Sequence, residues 1–342
     1  MSESWRAVSV AADGSVVVRI RVLSRRRLSR AFIALIGVAS VYAGVTGWLA
    51  GANWTSVIHA VTLDDVLAVV GLVTVGVIIR AMRWHYYVRT MRWRIPLSFS
   101  LIVFVASFAL TATPGKVGEL IKGTLLRERY GISLSEVAGV LLIERLGDLL
   151  AVTLIAASGL MFFIDLRNYL LASAALIAIM ALILSNHALW RGLLLRLERY
   201  PIMRKLAARI IKMLEAVRLS LHPAPVLIGC ILAFCAWSCE AYALHVLAAR
   251  LGVTSAVATS FSIYGLATLA GAFSMLPGGV GGVEVVMALL LTRIGAPAAI
   301  AGIIVVVFRL CTLWLTSLVG AIVLLGCTAF LAKFNSSKSY AR

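Results

Sequence analysis

The sequence predicts an all-α polytopic membrane protein with about six full spans and two re-entrant, broken-helix hairpins arranged as an inverted repeat. Three observations carry that prediction. The 342 residues are 62% hydrophobic with a mean hydropathy of +1.01 and only 13% charged residues, more apolar sequence than a soluble domain can bury. A Pro-Gly motif interrupts apolar sequence twice, with its prolines at Pro114 and Pro277. Most basic residues lie between the apolar runs, the pattern of cytoplasmic loops in a multispanning protein. The formal net charge of +18 therefore points to anionic lipid rather than nucleic acid.

Residues 1–30 read as a basic, surface-lying or poorly ordered cytoplasmic arm, with Arg25, Arg26, Arg27 and Arg30 at its end. The apolar run 31–50 lacks a small-residue cleavage site and reads as an uncleaved first span. Further runs suited to full spans are 65–88, 133–161, 168–190, 224–249 and 298–328. Two regions, 97–128 and 255–294, are each split by a Pro-Gly motif into pieces mostly short for the roughly 20 residues a span needs. The segment 191–222 repeats apolar residues at Met203, Leu206, Ile210, Leu214, Val217 and Leu221 among basic ones, which predicts an amphipathic helix on the inner membrane surface. Residues 331–342 form a short basic tail, so 31–330 makes one transmembrane domain.

Charge placement sets the topology. Five arginines fall within 80–94, eight basic against two acidic residues within 191–222, and three more basic residues within 333–342. If each split region enters and leaves on one side, or makes two complete passes, all these segments and both termini face the cytoplasm. The exterior then carries only Arg167, Arg250 and Arg293. The first hairpin then enters from the cytoplasm and the second from outside, making 97–161 and 255–328 inverted repeats. Broken helices in corresponding halves mark the binding site of many transporters.

The first motif is Pro114-Gly115-Lys116-Val117-Gly118-Glu119; the second runs Pro277-Gly278-Gly279-Val280-Gly281-Gly282-Val283-Glu284. Each is followed by another glycine (Gly131, Gly295) and then by an arginine in an apolar helix (Arg145, Arg309). Proline stops a helix and glycine admits positive φ, so Pro114, Gly115, Gly118, Pro277, Gly278, Gly279 and Gly281 are assigned to pocket backbone. The restarted helices should aim unpaired N–H groups at the bilayer midplane, where they suit an anion, with Arg145 and Arg309 as bidentate phosphate ligands. A charge at mid-span costs about 2.5–3.5 kcal/mol, and this chain places eight in apolar segments: Lys116, Glu119, Glu144, Arg145, Asp148, Glu240, Glu284 and Arg309. These eight sum to −2, which leaves room for a protonated carboxyl. Glu240, alone in its span near Tyr242 and His245, is the candidate proton carrier, or a neutral buried acid. A structural ion-pair cluster accounts for the charges less well, because they recur beside both breaks.

The five cysteines lie within apolar segments and read as buried thiols; no cofactor or metal site is visible. The runs TPGKVGELIKGTLLRERYGISLSEVAGVLLIERLGDLLAV and FSMLPGGVGGVEVVMALLLTRIGAP resemble the lysylphosphatidylglycerol synthase transmembrane-region family, also called UPF0104. The resemblance covers roughly residues 30–330. In that family the first block carries Pro-Gly-x-x-Gly-Glu and a following Glu-Arg, matched here by Pro114, Gly115, Gly118, Glu119, Glu144 and Arg145; Pro277, Gly278, Gly279, Gly281 and Glu284 match the second block. The resemblance implies a bacterial inner-membrane protein similar to the flippase half of multiple-peptide-resistance proteins, which move aminoacylated phosphatidylglycerol between leaflets. Full-length synthases of that type carry a soluble transferase domain after the membrane part. This sequence has about ten residues after its last span, so a stand-alone member is expected.

The function expected is a lipid translocase, moving a phospholipid, aminoacyl-lipid, glycolipid or polyprenyl-linked headgroup through a charged central cavity. An ion-coupled transporter of a small solute stays open as an alternative. So does a membrane enzyme using Glu144 and Asp148 as acid and base, although no nucleophile or metal set accompanies them. Expected partners are the lipid cargo and anionic membrane lipids, with a second copy of the chain or a lipid-synthesis enzyme left open.

Overall fold

The structure is a computed structural model that describes residues 8–10, 16–18, 61–111, 119–186, 190, 192, 194, 200 and 203–340. The predicted span 31–50 and the first-motif residues Pro114, Gly115, Lys116 and Gly118 lie outside the described residues. Within the N-terminal arm, β1 (Val8–Val10) and β2 (Val16–Val18) pair antiparallel with Val8 opposite Val18.

All other described elements are helical. α1 (Leu63–Thr90) starts on a capping box between Thr62 and Asp65. α2 (Leu97–Ser107) tightens into a 3₁₀ turn, Phe108–Leu110, before the first break. α3 (Ile121–Tyr130) ends at Gly131 with φ 72°, and α4 (Leu134–Ala157) starts on a second capping box, Ser133 with Glu136. α5 (Arg167–Ser185) and α6 (Arg204–Ser220) lead to α7 (Pro223–Arg250), which opens with proline at its first position. α8 (Val257–Phe273) runs to the second break, α9 (Gly282–Arg293) follows it, and α10 (Ala298–Arg309) continues through a π turn, Leu310–Trp314, into α11 (Leu315–Tyr340). Among the described residues, four helical stretches are long and apolar enough to cross a membrane: Leu63–Thr90, Ile164–Ser185, Pro223–Arg250 and Ala298–Cys327. α4 has the length, at 24 residues or about 36 Å, but carries Glu144, Arg145 and Asp148 in its middle.

The duplication extends further towards the N-terminus than the motifs alone suggest. α1 and α7 are both 28 residues long, and each is followed by a six-residue turn into the next helix. The turns match in detail: Trp93 N–H bonds the Val88 carbonyl as Val253 N–H bonds that of Ala248. Arg92 (φ 56°) stands where the second half has Gly252 (φ 82°). The order α1–α2–break–α3–α4 is therefore repeated as α7–α8–break–α9–α10.

The equivalent helices α1 and α7 run antiparallel against each other. Arg250, at the end of α7, bonds Asp65, at the start of α1, at 2.9 Å. At the opposite end Gly229 faces the Tyr87 hydroxyl, so closely that an added Cβ would lie 2.0 Å from it. Midway, a Cβ on Gly76 would lie 2.9 Å from the Ala236 carbonyl oxygen.

Each broken region folds back on itself. Phe99, near the start of α2, stacks edge-on against Tyr130, at the end of α3, with ring centroids 5.5 Å apart. In the second region Gly271 of α8 lies against Gly279 and Val283 beyond the break. Gly278, Gly279 and Gly281 there adopt φ of 63°, 68° and 91°, a run of left-handed backbone that side chains with a Cβ resist.

Among the described residues, two large apolar clusters, with a small third at Leu313 and Trp314, form the core. One gathers the start of α1, the end of α4 (Ala151–Ala156), and α7, α8, α9 and α10; the other gathers the end of α1, α2, α3 and the start of α4 (Val137–Leu146). The charged middle of α4 sits where one gives way to the other. α6 packs tightly on α4, where a Cβ on Gly139 would lie 2.4 Å from the Met213 carbonyl oxygen. Its buried face is Ala207, Ala216, Val217 and Ser220, while Met203 and Leu206 of the predicted apolar stripe are exposed. A helix-to-helix seam with small residues, rather than lipid alone, holds it in place.

Candidate functional site

Ten ionic side chains from α1, α3, α4, α7, α9, α10 and the turn before α3 converge at the junction of the two apolar clusters. α4 supplies Glu144, Arg145 and Asp148, with 144 and 148 one helical turn apart. α1 supplies Arg80 and Arg83 from the same face, three residues apart. Glu119 and Lys122 come from the chain that restarts after the first break. Glu240 comes from α7, Glu284 from the first turn of α9, and Arg309 from the end of α10. Nine of them, all but Glu284, line a cavity of about 400 Å³, together with Phe104, Trp237, Tyr264 and the Gly278-Gly279 backbone.

The pairing is extensive. Arg83 Nη2 lies 2.7 Å from Asp148 Oδ1, and its Nε lies 3.9 Å from Glu144 Oε1. Lys122 Nζ lies 3.4 Å from Glu144 and 3.9 Å from Glu119. Arg145 pairs with Glu119 through Nη2 and with Asp148 at 3.3 Å through Nη1. Trp237 Nε1 donates to Asp148 Oδ1 at 2.9 Å. Arg80 pairs with Glu240, which also accepts from the Tyr264 hydroxyl at 2.7 Å. Aromatic faces complete the cations' surroundings. Lys122 Nζ sits 4.5 Å from the centroid of Trp84 and 4.6 Å from that of Phe104, and the Arg80 guanidinium sits 4.9 Å over Trp237.

The two halves repeat one ion pair. Glu119 meets Arg145 in the first half as Glu284 meets Arg309 in the second. Arg309 Nε donates to Glu284 Oε1 at 2.6 Å and Nη2 donates to the Gly278 carbonyl at 2.8 Å. Glu284 also accepts from the Gly281 N–H at 2.6 Å, so α9 caps its own N-terminus. Glu284 takes up the Gly281 N–H at the start of the restarted helix, and Arg309 both fastens the break and lines the cavity. Arg145 is the more available arginine, with 32% of its side chain exposed against 10% for Arg309.

Seven of the eight charges singled out in the sequence meet in this cluster; Lys116 lies outside the described residues. Arg80, Arg83 and Lys122 were not anticipated, and they alter the charge ledger. The described cluster holds five cations and five carboxylates, so the excess of acid disappears. Glu240 is not alone either: its partners are Arg80 and Tyr264, while His245 bonds Ser260 at 3.1 Å. Arg80 and Arg83 stand three apart within a run that reads as a span, which was the available signal. Lys122 follows Glu119 by one helical turn.

Comparison with known proteins gives the family. The family model for the lysylphosphatidylglycerol synthase TM region matches residues 30–320. The chain belongs to the lysylphosphatidylglycerol synthase TM-region family. A UPF0104 membrane protein from Methanothermobacter thermautotrophicus is 27% identical over 288 residues, covering 78% of this chain and 85% of that one. Membership of this family is consistent with a multi-pass membrane protein in a lipid-related role, and the matched span contains every residue of the ionic cluster.

Proposed function

We propose that this protein is a lipid translocase rather than an enzyme, passing a polar headgroup through the cavity between two inverted halves while the tails stay in the bilayer. The observation that carries this reading is the ionic cavity lined by Thr111 and Glu119, which flank the first motif, and by Gly278 and Gly279 of the second break. Non-helical backbone at membrane depth is tolerated where it is buried in protein or lines a wet cavity, and here Gly278 and Gly279 line one. The antiparallel contact of α1 with α7 supports an inverted relation between the halves. A two-fold axis in the membrane plane turns one such helix into an antiparallel copy of itself. The fold-back of each broken region supports re-entrant hairpins, entering from opposite faces.

In this reading both termini, the α3–α4 turn and α6 face the cytoplasm of a bacterial inner membrane, and the Asp65–Arg250 and Asp165–Arg293 pairs face outside. Alternating access moves one half against the other about the α1–α7 seam. Native mass spectrometry with lipidomics on gently purified protein tests the cargo site. A specific lipid retained by wild type and lost from the Arg145→Ala/Arg309→Ala variant supports the proposal. Identical bulk lipids on both would remove the headgroup from the cavity and favour a small soluble solute, while a chemically altered lipid would favour an enzyme.

A further inference from the structure

The cluster is neutral by count but not by exposure. Among its ten side chains, Arg145 is the most exposed at 32% and Arg80 follows at 13%, whereas no carboxylate exceeds 10%. A ligand entering the cavity therefore meets guanidinium first. Every carboxylate already has a cationic partner. Among the described residues, the buried carboxylate oxygen without a hydrogen bond is Glu144 Oε1, and it faces the Arg83 guanidinium.

The surfaces suited to an incoming ammonium are also taken. Lys122 occupies the space between Trp84 and Phe104, and Arg80 covers Trp237. A cationic headgroup would have to displace an internal cation from both its aromatic face and its carboxylate. Donors, in contrast, remain open. Arg83, 2% exposed and lining the cavity, has no hydrogen-bond partner on Nη1 among the described residues, and neither has Nε of Arg80. Buried guanidinium N–H groups without acceptors are costly. A phosphate oxygen would satisfy them, and its neighbouring oxygens would share the Arg145 Nη1 and Nη2 groups that now bond Asp148 and Glu119.

We propose that the cavity selects an anionic phosphate headgroup, held by Arg145 with the open donors of Arg83 and Arg80, and rejects headgroups bearing an ammonium. This narrows the substrate class within the translocase reading and rests on it. The same phosphate chemistry occurs on a lipid and on free phosphate, so the test separates them.

Purified protein in nanodiscs of neutral lipid is titrated in parallel with phosphatidylglycerol, with lysylphosphatidylglycerol of the same chains, and with inorganic phosphate. Bound lipid is read by native mass spectrometry. Phosphatidylglycerol retained at least tenfold over the lysyl form, with inorganic phosphate competing weakly, is the expected result. Arg145→Lys should keep the preference for the anionic lipid and Arg145→Gln should lose it. Because the wild-type comparison needs no variant, misfolding of Arg145→Gln leaves the test intact. Equal or better retention of the lysyl form overturns the anionic selectivity and leaves the translocase standing. Inorganic phosphate binding with neither lipid retained overturns the translocase reading itself, and no binding of any of the three overturns both.

Discussion

Arg80 and Glu240 occupy equivalent places in α1 and α7, 160 residues apart, and they bond each other. This pair sits on the seam about which the halves are proposed to move. Arg80→Met removes the guanidinium from a carboxylate that is only 8% exposed. Breaking a buried pair from one side costs about 3–5 kcal/mol. The Tyr264 hydroxyl stays on Glu240 at 2.7 Å, which places the loss near the lower end, about 3 kcal/mol. At roughly 2–4 °C per kcal/mol, the unfolding midpoint should fall by roughly 6–12 °C. Tryptophan fluorescence in detergent is a suitable readout, because Trp237 lies against Arg80. Glu240→Gln should show a comparable loss. Arg80→Met/Glu240→Gln should lose about 2 kcal/mol less than the sum of the singles. Additive shifts, agreeing within ~0.5 kcal/mol, would refute the idea that this pair joins the two halves.

Other outcomes follow from single contacts. Arg309→Ala removes both anchors of the second break, from Glu284 and from the Gly278 carbonyl; protease nicking near residues 276–281 should increase, and Arg309→Lys should restore only part of the protection. Gly139→Leu drives a side chain into the Met213 carbonyl; it should detach α6, seen as faster amide exchange over 204–220 with little change in α7. Asp165→Asn breaks an exposed pair with Arg293; the unfolding midpoint should not move measurably, because solvent screens such pairs. Cysteines placed at the exposed Arg92 and Thr254 should label from opposite membrane faces, which a thiol reagent that cannot cross the bilayer reads directly; labelling from one face would contradict the inverted halves.

Much of this arrangement was legible in the chain. The second Pro-Gly motif marked the break at Pro277–Gly279, and the matched spacing placed Arg145 and Arg309 in corresponding positions of the two halves, although their pairing with Glu119 and Glu284 was not foreseen. Helix limits near 65–88 and 224–249 followed from apolar length alone. The failures share one physical cause: how deep a charge lies depends on a partner far away in sequence. Arg80 and Arg83 share a basic stretch with Arg89, Arg92 and Arg94, and counting basic residues by segment places all five at the surface. Only the approach of α4 and α7 shows that the first two meet Asp148, Glu144 and Glu240. Lys122 reads as the end of a short helix until Trp84 and Phe104 close around it. The apolar stripe on α6 is legible in the sequence, whereas the close approach of α6 to α4 at Gly139 is not, because small residues such as Ala216 carry no stripe signal. Glu284 is a similar case, because a carboxylate at a helix start reads equally as ligand or cap. Its bonds to the Gly281 N–H and to Arg309 depend on the turn at the second break, which the sequence does not give.

The most direct test of the central claim is the rate at which a fluorescent phospholipid crosses the bilayer of proteoliposomes containing wild type or Arg145→Gln. Crossing should be accelerated with wild type and fall at least tenfold in the variant, with both proteins eluting as folded monodisperse species. Crossing no faster than in protein-free vesicles, or equal rates for the two proteins, would contradict passage of a headgroup through this cavity.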